Sequence, residues 1–363
     1  MGKMGYRLLG RSGLRVSELA LGTMTFGREV AWGADLAECA RMFRAYVDAG
    51  GNFIDTANRY TMGTSERIVG ELVKGDRDRF VIATKYTLVD WPGDPNAGGS
   101  HRKNMMRSVR GSLDRLGTDH IDLLYVHMWD PFTPIEETVR ALDDLVRAGT
   151  VHYVGVSDTP AWVVSRAVTL AERMGWTPYT ALQIRYGLAD RTPERELLPM
   201  ARGLDLAVTP WAVLGAGALT GKYGKQGSGG GGKGGGRSGR RERGRFDHDP
   251  GRARGVLTER TAAIADELAG VAAEAGATPA QVAIAWVRAR PGVVIPILGV
   301  RTLAQARDDL GCLDVHITEG QLERLDGVSR VELGFPHDFL ESDLVTGLMY
   351  GGTRDAIRSH RPG

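Results

Sequence analysis

The sequence predicts an α/β protein built as a closed (β/α)8 barrel. Three observations carry that expectation. Eight short aliphatic runs recur along the chain, and segments of helical period separate them. The glycine signature of an open dinucleotide-binding sheet is missing from the place where it should stand.

The runs, in order, are LALG (19–22), NFIDTA (52–57), RFVIATK (79–85), IDLLYVH (121–127), VHYVGVS (151–157), TALQI (180–184), LAVTPW (206–211) and GVVIPILGV (292–300). Short runs of this kind, alternating with helical segments, read as strands buried on both faces of a parallel sheet. The first intervening helix, DLAECARMFRAYVDAG, sets Leu36, Cys39, Met42, Phe43, Tyr46 and Val47 on one stripe and stops at a glycine. TPIEETVRALDDLVRAG repeats the design, with proline at the start and glycine at the stop. Strand starts lie roughly 25 to 40 residues apart until the seventh run, and the gap to the eighth is far longer. That gap holds an insertion at 224–256. Its core, GKQGSGGGGKGGGRSGRRERGRFD, is dense enough in glycine to read as a flexible solvated loop, and its arginines leave open a lid over an anionic ligand. Ahead of the first run, YRLLGRSGLRVS reads as a β-hairpin around Arg11-Ser12-Gly13, placed to plug the bottom of a barrel. Residues 331–363 read as a C-terminal tail near the active face, and the whole chain, 1–363, reads as one barrel domain.

An open doubly wound sheet would need G-x-G-x-x-G after its first strand, and LGTMTFGREV does not supply it. GAGALTGKY (215–223) fails as a phosphate loop: three residues separate Gly217 from Gly221, and Tyr223 stands where a magnesium-binding Ser or Thr belongs.

Composition removes other classes. Only Cys39 and Cys312 are present, which excludes a disulfide framework and argues against a thiolate metal site; no metal is expected. No apolar run is long enough to span a membrane, and the N-terminal MGKMGYRLLGRSG lacks a signal core, so a cytoplasmic protein is expected. The net charge is +2, yet residues 225–254 hold nine Lys or Arg against Glu242, Asp247 and Asp249, a segment of +6 that leaves −4 for the rest. The basic balance therefore belongs to one loop, and no nucleic-acid partner is expected. The oligomeric state is left open.

Three consecutive runs end on an ionisable residue: Asp55, Lys85 and His127. Each is in phase with inward-pointing neighbours: Phe53 with Asp55, Val81 and Ala83 with Lys85, Leu123 and Tyr125 with His127. In a barrel all three gather at the C-terminal mouth, where barrel enzymes keep their chemistry. Tyr60, on the loop after the second run, can reach the same point. A buried lysine or aspartate without a partner is costly, so Asp55 and Lys85 should pair. A tyrosine beside that lysine is expected to have a lowered pKa and to donate its proton to a carbonyl oxygen becoming an alkoxide, which His127 would orient.

These four residues, with the phrases LGTMTFG, IDTANRYTMGTSERIVGE, ATKY, RLGTDHIDLLYVHMWD and LVRAGTVHYVGVSD, resemble the aldo-keto reductases from about residue 6 to residue 330. The resemblance implies a (β/α)8 barrel that reduces aldehydes or ketones with NADPH. Tyr60 would be the general acid, Lys85 and Asp55 would tune it, and His127 would orient the carbonyl. It further implies Ser157, Asp158 and Gln183 near the nicotinamide amide, Trp211 stacked on the ring, and Leu214, Gly215 and Gly217 in a turn that admits the pyrophosphate. Arg301 would hold the 2′-phosphate and Gln305 the adenine end, at a helix N-terminus suited to anions.

The chain departs from the family pattern at Asp158 and Asp309, where asparagine is common, and at Ala212 and Val213, which replace a usual Ser-Pro. Weaker cofactor binding is expected from these changes. Trp32, Trp91 and Trp129 lie on loops after the first, third and fourth strands and suggest an aromatic-walled pocket for an apolar small-molecule carbonyl substrate. Two rivals remain at this stage: a nucleotide-sensing binding subunit resembling potassium channel β subunits, and a Schiff-base enzyme using Lys85.

Overall fold

A computed structural model of the chain describes residues 3–221 and 255–358. The insertion read at 224–256 lies outside the described residues, apart from its last two positions. The N-terminal hairpin is present: β1 (Tyr6–Leu8) pairs antiparallel with β2 (Arg15–Ser17). Eight parallel strands follow, each inside or overlapping its expected run: β3 (Ala20–Gly22), β4 (Phe53–Asp55), β5 (Val81–Tyr86), β6 (Ile121–Val126), β7 (Val151–Ser157), β8 (Ala181–Arg185), β9 (Ala207–Trp211) and β10 (Ile297–Leu298). They pair in the order β10-β3-β4-β5-β6-β7-β8-β9. The ring closes between β9 and the segment before β10, where Val208 N donates to Val293 O at 2.7 Å and Ile295 N donates to Val208 O at 2.8 Å. The eighth run reaches strand geometry over only two residues. Pro296, just before them, has no amide proton to give the ladder, although its carbonyl still accepts from Ala20 N at 2.9 Å.

Helices cover the outside: α1 (Leu36–Asp48), α2 (Thr64–Val73), α3 (Arg102–Leu116), α4 (Ile135–Arg147), α5 (Ala161–Met174), α6 (Leu197–Gly203), α7 (Glu259–Glu274), α8 (Pro279–Arg288), α9 (Leu303–Leu310) and α10 (Glu319–Ser329). On α1 the buried residues are Cys39, Met42, Phe43 and Tyr46, as the stripe required. Leu36 is exposed, because the helix starts there, beyond the edge of the sheet it covers. The expected tail forms two short helices, α11 (His337–Leu340) and α12 (Asp343–Tyr350). It is tied near the start of α6: Arg195 donates to the Glu332 carbonyl, and His337 Nε2 lies 3.0 Å from Glu196 Oε1. Among the described residues no helix is long and apolar enough to cross a membrane.

Strand alternation divides the apolar residues into two layers. Leu21, Ile54, Ile82, Leu124, Val154 and Leu182 face the helices. Ala20, Phe53, Val81, Ala83, Leu123, Tyr125, Ala181 and Ala207 fill the barrel, and Leu9 and Val16 of the hairpin pack onto them from below. The hairpin is therefore a plug. Tyr125 fits in this interior only because residue 155 on the next strand has no side chain: a Cβ on Gly155 would lie 2.5 Å from its ring.

Candidate active site

The register β4–β5–β6 sets Asp55 beside Ala83 and Lys85 beside Tyr125, so successive strands deliver their polar ends to the mouth. Lys85 is fully buried, and its ammonium donates to Asp55 Oδ1 at 2.6 Å, to the Thr56 carbonyl at 2.8 Å and to the Tyr60 hydroxyl at 3.2 Å. It has three protons and three acceptors. The other carboxylate oxygen of Asp55 accepts from Gln183 Nε2 at 2.8 Å. A buried charge needs this degree of pairing, since either partner alone would be strongly destabilising. Burial works against the Lys85 charge, yet Asp55 and Tyr60 together lift its pKa above the ordinary lysine value.

Tyr60 corrects the expectation of a lowered pKa. Burial of the phenol raises it and the Lys85 charge pulls it down, but Asp55 and Asp158 add to the rise, and the net direction is upward. The hydroxyl stays protonated through neutral pH. A group that must give its proton only as negative charge appears on a partner is suited by that state. His127 lies edge-on to Tyr60, with ring centroids 6.0 Å apart. Burial, reinforced by Lys85, pushes its pKa down to about 3, so the imidazole is neutral. Its Nδ1 is buried without a partner among the described residues. A proton there would be an orphaned donor, so the favoured tautomer carries it on Nε2.

The remaining expected positions ring the same mouth. Ser157 is buried at the end of β7. Asp158 follows it and accepts from Trp211 Nε1 at 3.2 Å, which fixes the indole at the end of β9. Gln183, expected near a nicotinamide amide, has its own amide NH₂ engaged by Asp55. Leu214 leads into a turn in which Gly215, Ala216 and Gly217 all have positive φ, so backbone lies open with little side chain over it. At α9, Arg301 N donates to Gln305 Oε1 and Thr302 caps the helix; Asp309 is buried. The first amide of that helix, Leu303 N, already donates to Glu38 Oε1 of α1 at 2.6 Å. No spacing along the chain signals this carboxylate, because α1 and α9 meet only when the barrel closes. Trp91 lies under the Arg107 guanidinium, 4.7 Å from ring centroid to Cζ. Trp129 meets Trp162 edge-on at 6.2 Å. Trp32 is partly buried in the loop after β3.

Backbone strain marks the same face. Among the described residues, the non-glycine residues with positive φ are Thr61, Met62, Thr87, Asp158, Asp205, Ala212 and Ala216. All but Asp205 lie in loops that leave the C-terminal ends of β4, β5, β7 and β9. Each such conformation costs on the order of 1 kcal/mol, and strain of this kind collects where backbone must be aimed. At the opposite face His120 stacks on His152 at 4.6 Å, and Asp122 between them is held by Arg77 at 2.7 Å, so its charge is already met.

A parallel barrel with a buried lysine bridging a carboxylate and a phenol at its mouth defines the class: an oxidoreductase barrel suited to carbonyl chemistry. The profile of the Aldo/keto reductase family matches residues 18–330, and the chain belongs to that family. Norsolorinic acid reductase of Aspergillus flavus is 36% identical over 351 residues, covering 93% of this chain and 84% of the relative. Aldo-keto reductase ausK of Emericella nidulans is 36% identical, covering 93% and 85%. The probable aryl-alcohol dehydrogenase AAD4 of Saccharomyces cerevisiae is 37% identical, covering 82% and 90%. Membership in this family supports an oxidoreductase of carbonyl compounds that uses a nicotinamide cofactor.

Proposed function

We propose that the chain reduces aromatic aldehydes or ketones to alcohols with NADPH, using Tyr60 as general acid. The observation that carries this reading is Lys85 Nζ, in contact with Asp55 at 2.6 Å and with the Tyr60 hydroxyl at 3.2 Å. When bound, the nicotinamide supplies the hydride. The residues of the chain do the rest. The substrate carbonyl oxygen sits between the Tyr60 hydroxyl and the Nε2–H of His127, both neutral donors. As negative charge develops on that oxygen, Tyr60 gives its proton, and Lys85 stabilises the phenolate left behind. Asp55 and Gln183 hold Lys85 in place and do not themselves exchange protons.

The cofactor fits the residues present. Trp211, fixed through Asp158, offers a ring face, and the turn at 214–217 has backbone open to a pyrophosphate. Arg301 stands at the N-terminus of α9, where a 2′-phosphate would find both charge and helix dipole. An aromatic substrate class is supported by the name of the yeast relative and by Trp32 and Trp91 on the loops of the mouth, whereas Trp129, expected with them, packs against Trp162. A cytoplasmic setting agrees with the two buried, unpaired thiols.

Tyr60→Phe removes the donor with little change of shape. Turnover of benzaldehyde should fall by at least about 100-fold, while NADPH binding persists. Near-normal turnover would refute the assignment. Binding of NADPH by the unaltered chain without any oxidation by aldehydes would instead favour a nucleotide-sensing role.

A further inference from the structure

Outside the barrel mouth, a cavity of about 370 Å³ opens between α4 and α5 at the upper edge of the sheet. Its floor includes Val126 and Val156, which point to the helix side of β6 and β7. His127 and Ser157, next in sequence, point into the barrel. The cavity therefore lies across the sheet from the reacting groups and is not a lobe of the catalytic pocket. Its size falls in the range that accepts one small organic molecule.

Two of its lining hydroxyls are of different kinds. Ser100 is 3% exposed, and its Oγ has no hydrogen-bond partner among the described residues. Tyr179 is 2% exposed, and no described residue accepts from or donates to its hydroxyl. Burial alone raises the Tyr179 pKa, so the hydroxyl stays neutral and can donate. The Ser100 oxygen is closed off from the cavity, and the Tyr179 hydroxyl is the donor available to a ligand oxygen. The rim is aromatic: Trp129 and Trp162 meet edge-on, and Phe132 is almost fully exposed beside them.

The charges select against an anion. Asp130 lines the cavity with its oxygens already taken by Ser100 N, Phe132 N and the Thr133 hydroxyl. Arg166 at the rim is held by Glu136, so no guanidinium is left over to receive a carboxylate. The two lining carboxylates, Asp130 and Glu136, are likewise engaged, so neither is left over for a cation.

We propose that this cavity is a second ligand site, for a neutral aromatic compound whose single hydroxyl or carbonyl oxygen meets the Tyr179 hydroxyl while its rings pack against Trp162 and Val156. It is independent of the reaction assigned to Tyr60. The test uses the full chain, 2-naphthol as the neutral probe and naphthalene-2-sulfonate as its anionic counterpart, with calorimetric binding at pH 7. The neutral probe should bind saturably and the sulfonate should not. Tyr179→Phe should weaken 2-naphthol by about 3- to 10-fold, the effect of one lost neutral hydrogen bond. Should that variant fold poorly, Trp162→Ala serves: the indole is largely exposed, so the melting temperature without ligand should be unchanged, yet 2-naphthol should raise that temperature less. An equal rise in both chains would overturn the proposal. Equal affinity for the unaltered chain and Tyr179→Phe, preference for the sulfonate, or absence of saturable binding would each overturn the proposal. So would binding that Tyr60→Phe abolishes and Tyr179→Phe leaves intact, because that pattern puts the compound in the barrel mouth.

Discussion

The lower and upper halves of the barrel interior are made by the same strands and obey opposite rules. Below, Phe53, Val81, Ala83, Leu123 and Ala181 form an apolar layer sealed by Leu9 and Val16. Above, two to four residues further along the same strands, Asp55, Lys85 and Gln183 form a hydrogen-bonded ionic layer, with His127 beside it, under strained loops. The lower layer needs only volume and exclusion of water. The upper layer depends on every group having its partner, because the dry layer beneath it strengthens each interaction and penalises each omission alike. Stability and chemistry are thus separated along the barrel axis, which gives ways to perturb one without the other.

The largest effect should come from Asp55→Ala. It strands the Lys85 ammonium, which keeps only Thr56 O and Tyr60 as acceptors. Removing one partner of a buried pair costs about 3–5 kcal/mol. Urea unfolding should show that loss together with loss of turnover. If stability were unchanged, the upper layer would not be an interdependent network. Leu9→Ala is the converse. It opens a cavity under the barrel and should cost about 2–5 kcal/mol. Turnover per folded molecule, measured well below the new melting point, should be unchanged; a fall in kcat would show that the plug and the mouth are coupled.

Much of this separation was legible beforehand. Asp55, Lys85 and His127 declared themselves because strand alternation put them in phase with Phe53, Val81 and Leu123, and strand ends are local facts. The hairpin announced itself in twelve residues, YRLLGRSGLRVS. What escaped was non-local. Gln183 reaches Asp55 across the barrel from β8 to β4, and no spacing along the chain encodes that distance. The direction of the Tyr60 shift depends on how deeply the phenol is buried, which the neighbouring lysine in sequence could not disclose. Trp162 of α5 and Tyr179 ahead of β8 line one cavity only through the packing of the helices on the sheet.

His127 offers a smaller and pH-dependent test. Its folded pKa is about 3 and its ordinary value 6.5. Between these limits the unfolded chain binds a proton that the folded chain does not, so stability rises with pH across that window and is independent of His127 above it. The slope owed to this residue is about 1.4 kcal/mol per pH unit. His127→Gln should remove that component from the acid side of the stability curve while leaving the plateau near pH 7 to 8 unaffected by titration. An identical acid slope in the variant would mean that the imidazole is not held neutral by burial.

The smallest expected effect concerns the rim and the choice of cofactor. If Arg301 receives a 2′-phosphate at the start of α9, the phosphate arrives where Glu38 already occupies the Leu303 amide. Glu38 is partly satisfied by Arg41, one turn along α1, but its charge remains near the helix end. Glu38→Gln keeps an oxygen to accept from Leu303 N and deletes the charge. Relief of repulsion across solvent is worth about 3- to 10-fold in affinity for a doubly charged phosphate. NADPH should therefore bind more tightly to Glu38→Gln by that factor, and NADH, lacking the phosphate, should be nearly unaffected. The gain should shrink at high ionic strength, as exposed charges are screened. Arg301→Ala should act in the opposite direction on the same cofactor. An equal change for NADPH and NADH in Glu38→Gln would place the phosphate away from α9 and leave Glu38 as a cap that joins α1 to α9, a structural task belonging with the plug and not with the mouth.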